Sequence, residues 1–374
     1  MIIDPTHFIN YYSLHNTIKI FYSDEYSDQD LLFADIWKKI LPTSSKFLCF
    51  AHIDTYKRLD VLAMSQKLEQ DKQSPVIIFL TGQQVDTKII SEIIDSRENN
   101  VFIINDNGFT DKNYFAIDTA HRAWKGYIGA VPFIPHADRA HTLSALCHRY
   151  ETHRWLLLAK IKNHKINSCL SFHNINKISL ESFYSLCQAE LAMTPDDAVM
   201  QAVDQLIKDA PITPKFLSNP NGGGSVYNQW QQTDLSAHIS SRINATLEGS
   251  YIDTGTGVNL TEKMAKCLAA GTFPLHIGQT RGYDRLREWG FNGFEQSGLD
   301  LSYDQMQGDF LSAKFRSDKI KKIYAVIESI SDELNVEQVC KNNYDWFHGG
   351  WYDHCESQNE PEIQRLQEDV NNCI

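Results

Sequence analysis

Two fully apolar segments separated by a helix-like segment constrain the fold more than any other feature of the chain. The segment "SPVIIFLTG" ends at Gly82, and "NVFIIND" ends at Asp106. Between them, the isoleucines of "DTKIISEIIDSREN" recur at helical spacing. Strands that are apolar on both faces and joined by a helix belong to parallel sheets covered on both sides. Residues 75–106 therefore predict a β-α-β unit of an α/β protein.

A second α/β region begins after a long break in periodicity. Residues 211–234 contain prolines, asparagines and Gly222-Gly223-Gly224, which predict a long loop. The loop lacks the GK[ST] ending of a phosphate-binding loop, so a lid or a connector is favoured over a phosphate cradle. Beyond it, "SRINATLEGS" and "FPLHIG" predict strands on either side of the helix "LTEKMAKCLAAG". Before it, residues 140–165 have the character of a helix.

A chain of 374 residues is long enough for two domains. We predict two Rossmann-like lobes with a cleft between them. The N-terminal domain would cover residues 1–150 and the C-terminal domain residues 151–340. The segment 341–374 would pack back on the N-terminal lobe.

Charge and cysteine content narrow the class of protein. The formal net charge is −12, so no overall positive field would attract the chain to nucleic acid or anionic lipid. The eight cysteines are scattered without a CxxC pair or zinc-ligand spacing, which indicates buried reduced thiols. No secretory signal and no stretch of roughly 18 apolar residues is visible. We therefore expect a cytoplasmic protein with at most peripheral membrane contact.

The triplet Thr261-Glu262-Lys263 opens the helix that follows the predicted strand "SRINATLEGS". Thr261 would be the N-cap, and the free N–H groups behind it favour an anion such as a diphosphate. Lys263 would add a positive charge for phosphate oxygens, and Glu262 could accept two hydrogen bonds from a ribose diol. This combination indicates a nucleotide site. The alternative is an ordinary helix start, in which Glu262 suits the helix dipole and Lys263 is solvated.

Motifs around this helix resemble the donor-binding region of fucosyltransferase-like glycosyltransferases with the GT-B architecture. Those enzymes have a strand ending in Phe-Glu-Asn-Ser, a (V/I)TEK helix and an A-G-x-x-P-(V/I) strand that ends at a glycine. Related phage and bacterial transferases continue with GYxxxLRxxGF and SYD. The matching pieces are Leu247-Glu248-Gly249-Ser250, Leu260-Thr261-Glu262-Lys263, Ala270-Gly271, Pro274-Leu275, Gly278, "GYDRLREWGF" and "DLSYD". The resemblance covers residues 236–310 and implies a GT-B fold with a sugar-nucleotide site.

The resemblance also implies roles for individual residues. Glu262 would contact the ribose and Lys263 the phosphates, with Glu248 close to the donor. Arg242 would be a second cation, and Tyr283 would border the base or the sugar. Gly249 stands where the family has asparagine, which leaves both the sugar and the carrier base open. The complete set of expected donor-site residues is Arg242, Glu248, Asn259, Thr261, Glu262, Lys263 and Tyr283.

Sugar transfer also needs a base for the acceptor hydroxyl. The candidates at predicted strand ends of the N-terminal half are His52, Asp54 and Asp106, each of which could instead cap a turn. No metal is expected, because GT-B enzymes of this kind usually need none. The histidines of "WFHGGWYDHC" and "FIPHADRAH" lack the usual ligand spacing, so we expect both segments to be structural.

The sequence thus predicts a glycosyltransferase that moves a sugar from a nucleotide donor to a hydroxyl acceptor. A surface glycan or its lipid-linked precursor is the expected acceptor. One alternative is a hydroxymethylated base in phage DNA, which the acidic net charge disfavours. Another is a catalytically silent subunit that binds a nucleotide sugar. A dinucleotide-binding oxidoreductase is a third alternative, which the sequence disfavours because no GxGxxG follows a predicted strand.

Overall fold

The structure, a computed structural model, falls into two compact units. The first takes Met1–Lys125 with Tyr352–Ile374, and the second takes Gly126–Gly223 with Trp230–Trp351. The residues that the structure describes are 8–14, 18–23, 48–51, 68, 74–80, 101–105, 114–117, 121, 124–147, 149–164, 166–213, 235–248, 258, 260–309 and 311–372.

The first unit contains a sheet in which the described strands follow one another in chain order. Strand β1 is antiparallel to β2, and every later neighbour is parallel. The predicted apolar strands are β4 and β5, which pair with Ile78 opposite Ile103. Both isoleucines are fully buried, as expected for a sheet covered on two faces. The strands are β1 (Phe8–Leu14), β2 (Ile18–Ser23), β3 (Leu48–Ala51), β4 (Val76–Leu80), β5 (Val101–Asn105) and β6 (Tyr114–Ala116).

The second unit contains a sheet whose four described strands pair in parallel and lie in the order β10-β9-β7-β8. Strands β7 and β9 are neighbours at its centre. Strand β8, which follows β7 in the chain, lies on one side of this pair, and β10, which follows β9, lies on the other. The α/β class and the parallel sheets are therefore confirmed. The strands are β7 (His141–Cys147), β8 (Ser168–Phe172), β9 (Ser241–Leu247) and β10 (Phe273–Ile277).

Helices of the second unit pack in two groups. Helix α1 contacts α2, α3 and α7, whereas α5 contacts α8. Helix α9 begins at the end of the second unit, and its residues from Tyr352 onward belong to the first. The described α-helices are α1 (Thr152–Asn163), α2 (Leu180–Leu191), α3 (Asp197–Asp209), α4 (Ser236–Ile239), α5 (Glu262–Ala269), α6 (Gly282–Glu288), α7 (Ala313–Ser329), α8 (Glu337–Gly349) and α9 (Trp351–Asn372).

The segment predicted as one helix over residues 140–165 is instead a strand followed by a helix. Residues His141–Cys147 form β7, and helix α1 begins only at Thr152. Because β7 hydrogen-bonds to both β8 and β9, it belongs to the second sheet. The second unit accordingly begins at Gly126 rather than at the predicted residue 151. An apolar run that continues directly into a helix hides the change of periodicity.

The A-G pair after α5 ends the helix. Gly271 has φ of +61°, and the N–H of Thr272 donates to the carbonyl of Cys267 at 2.9 Å. Helices commonly end at a residue with left-handed backbone, and glycine adopts that conformation without steric cost. A Cβ on Gly271 would also lie 2.6 Å from the Phe133 ring. The motif thus fixes where α5 stops and β10 starts.

Two further expectations concern the thiols and the membrane. The six cysteines whose side chains the structure describes are buried, as expected: Cys147, Cys169, Cys187, Cys267, Cys340 and Cys355. Among the described residues, no helix is long and apolar enough to cross a membrane.

Candidate functional site

The Thr261-Glu262-Lys263 triplet lies where the strand order of the second sheet reverses. Strand β7 leads through α1 to β8 on one side, and β9 leads through α5 to β10 on the other. The carboxyl ends of β7 and β9 therefore lie side by side while their helices diverge. In open α/β sheets, ligands bind in the crevice at such a reversal. The described strands of the first unit show no reversal, so this rule points to the second unit.

Glu248 and Thr261 connect the end of β9 to the start of α5. The Thr261 hydroxyl donates to Glu248 Oε2 at 2.5 Å, and its backbone N–H lies 3.3 Å from Oε1. Thr261 also caps α5 as predicted, its Oγ1 accepting from the Lys263 N–H at 3.4 Å. Glu248 is fully buried, and burial raises its pKa although Lys263 opposes this effect. Two of the predicted donor-site residues are thus in direct contact.

Lys263 joins the two carboxylates of the site. Its Nζ lies 3.1 Å from Glu262 Oε1 and 3.6 Å from Glu248 Oε2. Burial alone would lower the pKa of Lys263, but these carboxylates outweigh burial and raise it. Burial would likewise raise the pKa of Glu262, but Lys263 and Lys266 lower it on balance. Because 31% of the Lys263 side chain and 25% of the Glu262 side chain are exposed, both can reach a ligand.

The first turn of α1 brings two further residues to the site that the sequence analysis missed. His153 Nε2 lies 3.2 Å from the Glu248 carbonyl oxygen, and Arg154 Nε donates to the same oxygen at 3.4 Å. Burial lowers the pKa of His153 to about 3, so His153 is neutral at pH 7. Arg154 is 8% exposed. These contacts join the two helices that start at the reversal of strand order.

Arg242 is not part of this cluster. It lies near the start of β9, whereas Glu248 directly follows the end of that strand. Six residues of extended chain span roughly 20 Å. The guanidinium donates instead to the carbonyls of His136 and Asp332, at 3.1 and 2.6 Å. The expected role of Arg242 as a second phosphate cation is therefore not supported by its position.

Tyr283 also differs from expectation. It is 1% exposed, and its hydroxyl donates to the Pro274 carbonyl at 2.8 Å and accepts from the His276 N–H at 3.2 Å. Its ring packs 5.0 Å from the ring of Phe294. A side chain held in the core in this way supports β10 and cannot border a base or a sugar.

Replacing Tyr283 by phenylalanine tests this correction. We expect the change to lower the free energy of unfolding by about 1 to 2 kcal/mol, because it leaves a buried carbonyl and a buried N–H without their partner. For a nucleotide that binds the wild type, the affinity of the variant should stay within about twofold, a difference of roughly 0.4 kcal/mol. Denaturant unfolding and calorimetric titration would measure the two quantities. A large loss of affinity without loss of stability would restore Tyr283 to the site.

Several predictions lie outside the described residues. They are the helix "DTKIISEIIDSREN" between β4 and β5, the donor-site residue Asn259, the candidate bases His52, Asp54 and Asp106, and the glycine loop at 218–227. Their roles remain predictions.

The described histidines of the two suspected metal segments have other bonds. His348 Nδ1 accepts from the Gly129 N–H at 2.7 Å, and its Nε2 lies 3.0 Å from the Ala269 carbonyl. His141 Nδ1 lies 3.0 Å from Asn167 Oδ1. Within the described part of the chain, no group of three or more His, Cys, Asp or Glu side chains could hold a metal ion.

Comparisons with known proteins add no family to this geometry. No protein-family model, curated protein or solved structure matches the chain.

Proposed function

We propose that the second unit binds a nucleotide-linked sugar at the start of α5, and that the chain transfers this sugar to a hydroxyl acceptor. The proposal includes a two-lobed GT-B architecture and a surface glycan or lipid-linked precursor as acceptor. The observation that carries it is the position of Thr261-Glu262-Lys263 at the reversal of strand order in a parallel sheet.

The chemistry of the residues at that position supports a nucleotide. The N-terminus of α5 offers N–H groups and a helix dipole, which favour phosphate. Lys263 supplies a partly exposed positive charge beside them, and Glu262 supplies a partly exposed carboxylate for a sugar diol. A diphosphate that binds Lys263 would compete with Glu262 for the ammonium. Glu262 would then be released to accept hydrogen bonds from the ribose.

In the proposed reaction, the bond between the anomeric carbon and the diphosphate oxygen breaks, and the diphosphate keeps the electron pair. A new bond forms between that carbon and the acceptor oxygen, whose proton passes to a base. Lys263 and the α5 N-terminus would stabilise the charge that develops on the leaving group, an effect worth several kcal/mol in comparable sites. His52, Asp54 and Asp106 remain the candidate bases.

A thermal-shift panel of nucleoside diphosphates and their sugar conjugates tests the binding site. A ligand at 100 times its dissociation constant should stabilise the wild type by about 2.7 kcal/mol, which moves the midpoint by several degrees. The same ligand should stabilise Glu262→Ala by much less, because the diol acceptor is gone. Glu295→Ala is the matched control, since Glu295 is exposed on the same unit and its ion pair with Arg287 is a long one, at 3.7 Å.

Three results would separate the possibilities. Selective stabilisation with release of free sugar, or transfer to an acceptor, supports a transferase. Binding without transfer or hydrolysis supports the silent binding subunit. If no nucleotide stabilises the wild type, the Thr261-Glu262-Lys263 triplet is an ordinary helix start and the proposal fails.

A further inference from the structure

We propose that Asp304 is a positioning residue of this site. It holds the turn between β10 and α6, residues 278–281, and this turn keeps Glu248 in place beside the start of α5. The inference rests on the proposed function, because it gives the site a residue that acts on nucleotide binding without touching the nucleotide.

Asp304 accepts hydrogen bonds from three successive backbone N–H groups. Its Oδ1 accepts from Gly282 at 3.1 Å, and its Oδ2 accepts from Tyr283 at 3.0 Å. Its carbonyl oxygen accepts from Arg281 at 2.6 Å. The first N–H groups of a helix have no partner within the helix. The fully buried Asp304 supplies one, and so fixes the point at which the chain leaves the turn and α6 begins.

The turn needs this support because its last residue has a strained backbone. Arg281 has φ of +66°, in the left-handed region that side chains other than glycine rarely adopt. Such a conformation persists only where surrounding contacts hold it. The Arg281 side chain is 65% exposed, so its own packing does not hold the backbone. The hydrogen bonds to Asp304 do.

The other end of the turn lies against Glu248. A Cβ on Gly278 would lie 2.9 Å from Glu248 Cβ, so the backbone of the turn contacts the buried Glu248 side chain directly. The Glu248 N–H also donates to the Ile277 carbonyl at 2.8 Å. Glu248 in its turn accepts from the Thr261 hydroxyl. A displaced turn would therefore move Glu248, and through Glu248 the first residue of the proposed nucleotide site.

The charge of Asp304 matters because both of its carboxylate oxygens are acceptors. Burial raises its pKa to about 6, and Asp284 adds to the rise, whereas Lys319 and the N–H groups of Gly282 and Tyr283 oppose it. At pH 7.5 the carboxylate is therefore the main form. Asparagine has the same size, but its NH₂ group cannot accept a hydrogen bond. In Asp304→Asn, one of the two N–H groups consequently loses its partner.

Amide hydrogen exchange of the ligand-free protein at pH 7.5 tests the connection. In Asp304→Asn, protection at Gly282 or Tyr283 should fall at least about tenfold, because a hydrogen bond to a charged group is lost. Protection at Glu248 and Thr261, which do not touch Asp304 through these bonds, should fall at least about threefold. All four are measured against the amides of the central strand β7, which report general unfolding.

Calorimetric titration at pH 7.5 with uridine, guanosine, adenosine and cytidine diphosphates tests the effect on the site. For a nucleotide that binds the wild type, Asp304→Asn should weaken binding by about fivefold or more. Tyr283→Phe is the matched control, since it removes a buried hydrogen bond from the same helix and should leave affinity within about twofold.

Asp304→Glu is the second variant. It keeps the charge and both accepting oxygens but shifts them by one methylene group. Its effects on exchange at Glu248 and Thr261 and on affinity should lie between those of the wild type and of Asp304→Asn. If Asp304→Asn does not fold, wild-type exchange at Glu248 and Thr261 in Asp304→Glu contradicts the inference.

The outcomes separate this inference from the proposed function. If nucleotides bind and Asp304→Asn leaves either affinity or the exchange of Glu248 and Thr261 at the wild-type level, the inference fails and the proposed function survives. Equal losses of affinity in Asp304→Asn and Tyr283→Phe indicate general destabilisation and also contradict the inference. If no nucleotide binds the wild type but exchange at Glu248 and Thr261 rises in Asp304→Asn, the proposed function fails and the hold of Asp304 on Glu248 stands.

Discussion

Replacing Gly282 by alanine is expected to destabilise the second unit by about 1 to 2 kcal/mol, the overpacking cost less the gain in helix propensity. Gly282 is the first residue of α6, directly beside the buried His276 imidazole. A Cβ at this position would lie 2.2 Å from His276 Cδ2 and 2.5 Å from Nε2. Real side chains do not approach so closely, so the ring or the helix must move. Overpacking of this kind typically costs about 1 to 3 kcal/mol.

The imidazole has little room to move away. Its Nε2 lies 3.1 Å from the Gln279 carbonyl, and a Cβ on Gly278 would lie 2.7 Å from its Cε1. Gly278 and Gly282 therefore enclose the ring from two directions. Helix propensity alone favours alanine over glycine by about 1 kcal/mol. The predicted sign is thus opposite to that of an ordinary glycine-to-alanine change in a helix.

Thermal and denaturant unfolding would measure the effect, with Gly349→Ala as the control. Gly349 is helical, and a Cβ on it would meet no atom within 4 Å, so alanine there should be neutral or stabilising. In a His276→Ala background the cost of Gly282→Ala should largely disappear, because the clashing ring is gone. An unchanged midpoint for Gly282→Ala in the wild-type background would contradict the packing argument.

Local sequence patterns were sufficient to predict the start of α5 and the strand that precedes Glu248. Threonine before a glutamate and a lysine is a helix N-cap signal, and the structure places Thr261 there. The preceding strand ends at Leu247, so the chain has to bring Glu248 close to the carboxyl edge of the sheet. Both inferences depend on residues near each other in sequence.

The sequence analysis misplaced or missed residues whose surroundings are set by distant parts of the chain. Arg242 and Glu248 both belong to the segment "SRINATLEGS", but strand β9 separates them by roughly 20 Å. Tyr283 resembles an accessible aromatic in sequence, and only the packing of β10 and α6 shows that it is buried. Arg154 was missed because an arginine in a helical segment is usually solvated. Its position became visible once β7 and β9 were known to be neighbours.

Replacing Glu248 by glutamine is expected to change how stability depends on pH. Burial raises the pKa of Glu248 above its ordinary value of about 4.3, so the folded state holds this proton more tightly than the unfolded state. The stability that the proton provides is complete below the unfolded pKa and is lost as the pH rises through the folded pKa. A glutamine side chain mimics the protonated carboxyl and does not titrate, so the variant should not lose this stability as the pH rises. As the pH rises from the unfolded pKa of Glu248 to its folded pKa, the variant should therefore gain stability relative to the wild type. The gain should be about 1.4 kcal/mol per pH unit.

The same carboxyl should couple proton uptake to binding at the proposed site. The charges around Glu248 are those of Lys263 and Glu262 from α5 and of Arg154 from α1, whereas His153 is neutral at pH 7. A diphosphate that engages Lys263 would place negative charge beside Glu248, which raises the pKa of Glu248 further. Binding should then take up a proton.

Calorimetric titration of a nucleoside diphosphate in buffers of different ionisation enthalpy would detect that proton. In the wild type, affinity should fall as the pH rises through the window between the free and bound pKa of Glu248, by up to about tenfold per pH unit. Glu248→Gln should bind with an affinity that changes little over the same window. Parallel pH profiles for the two proteins would show that Glu248 does not exchange a proton on binding. The charge of Lys263 would then be shared between the carboxylates and the ligand without protonation.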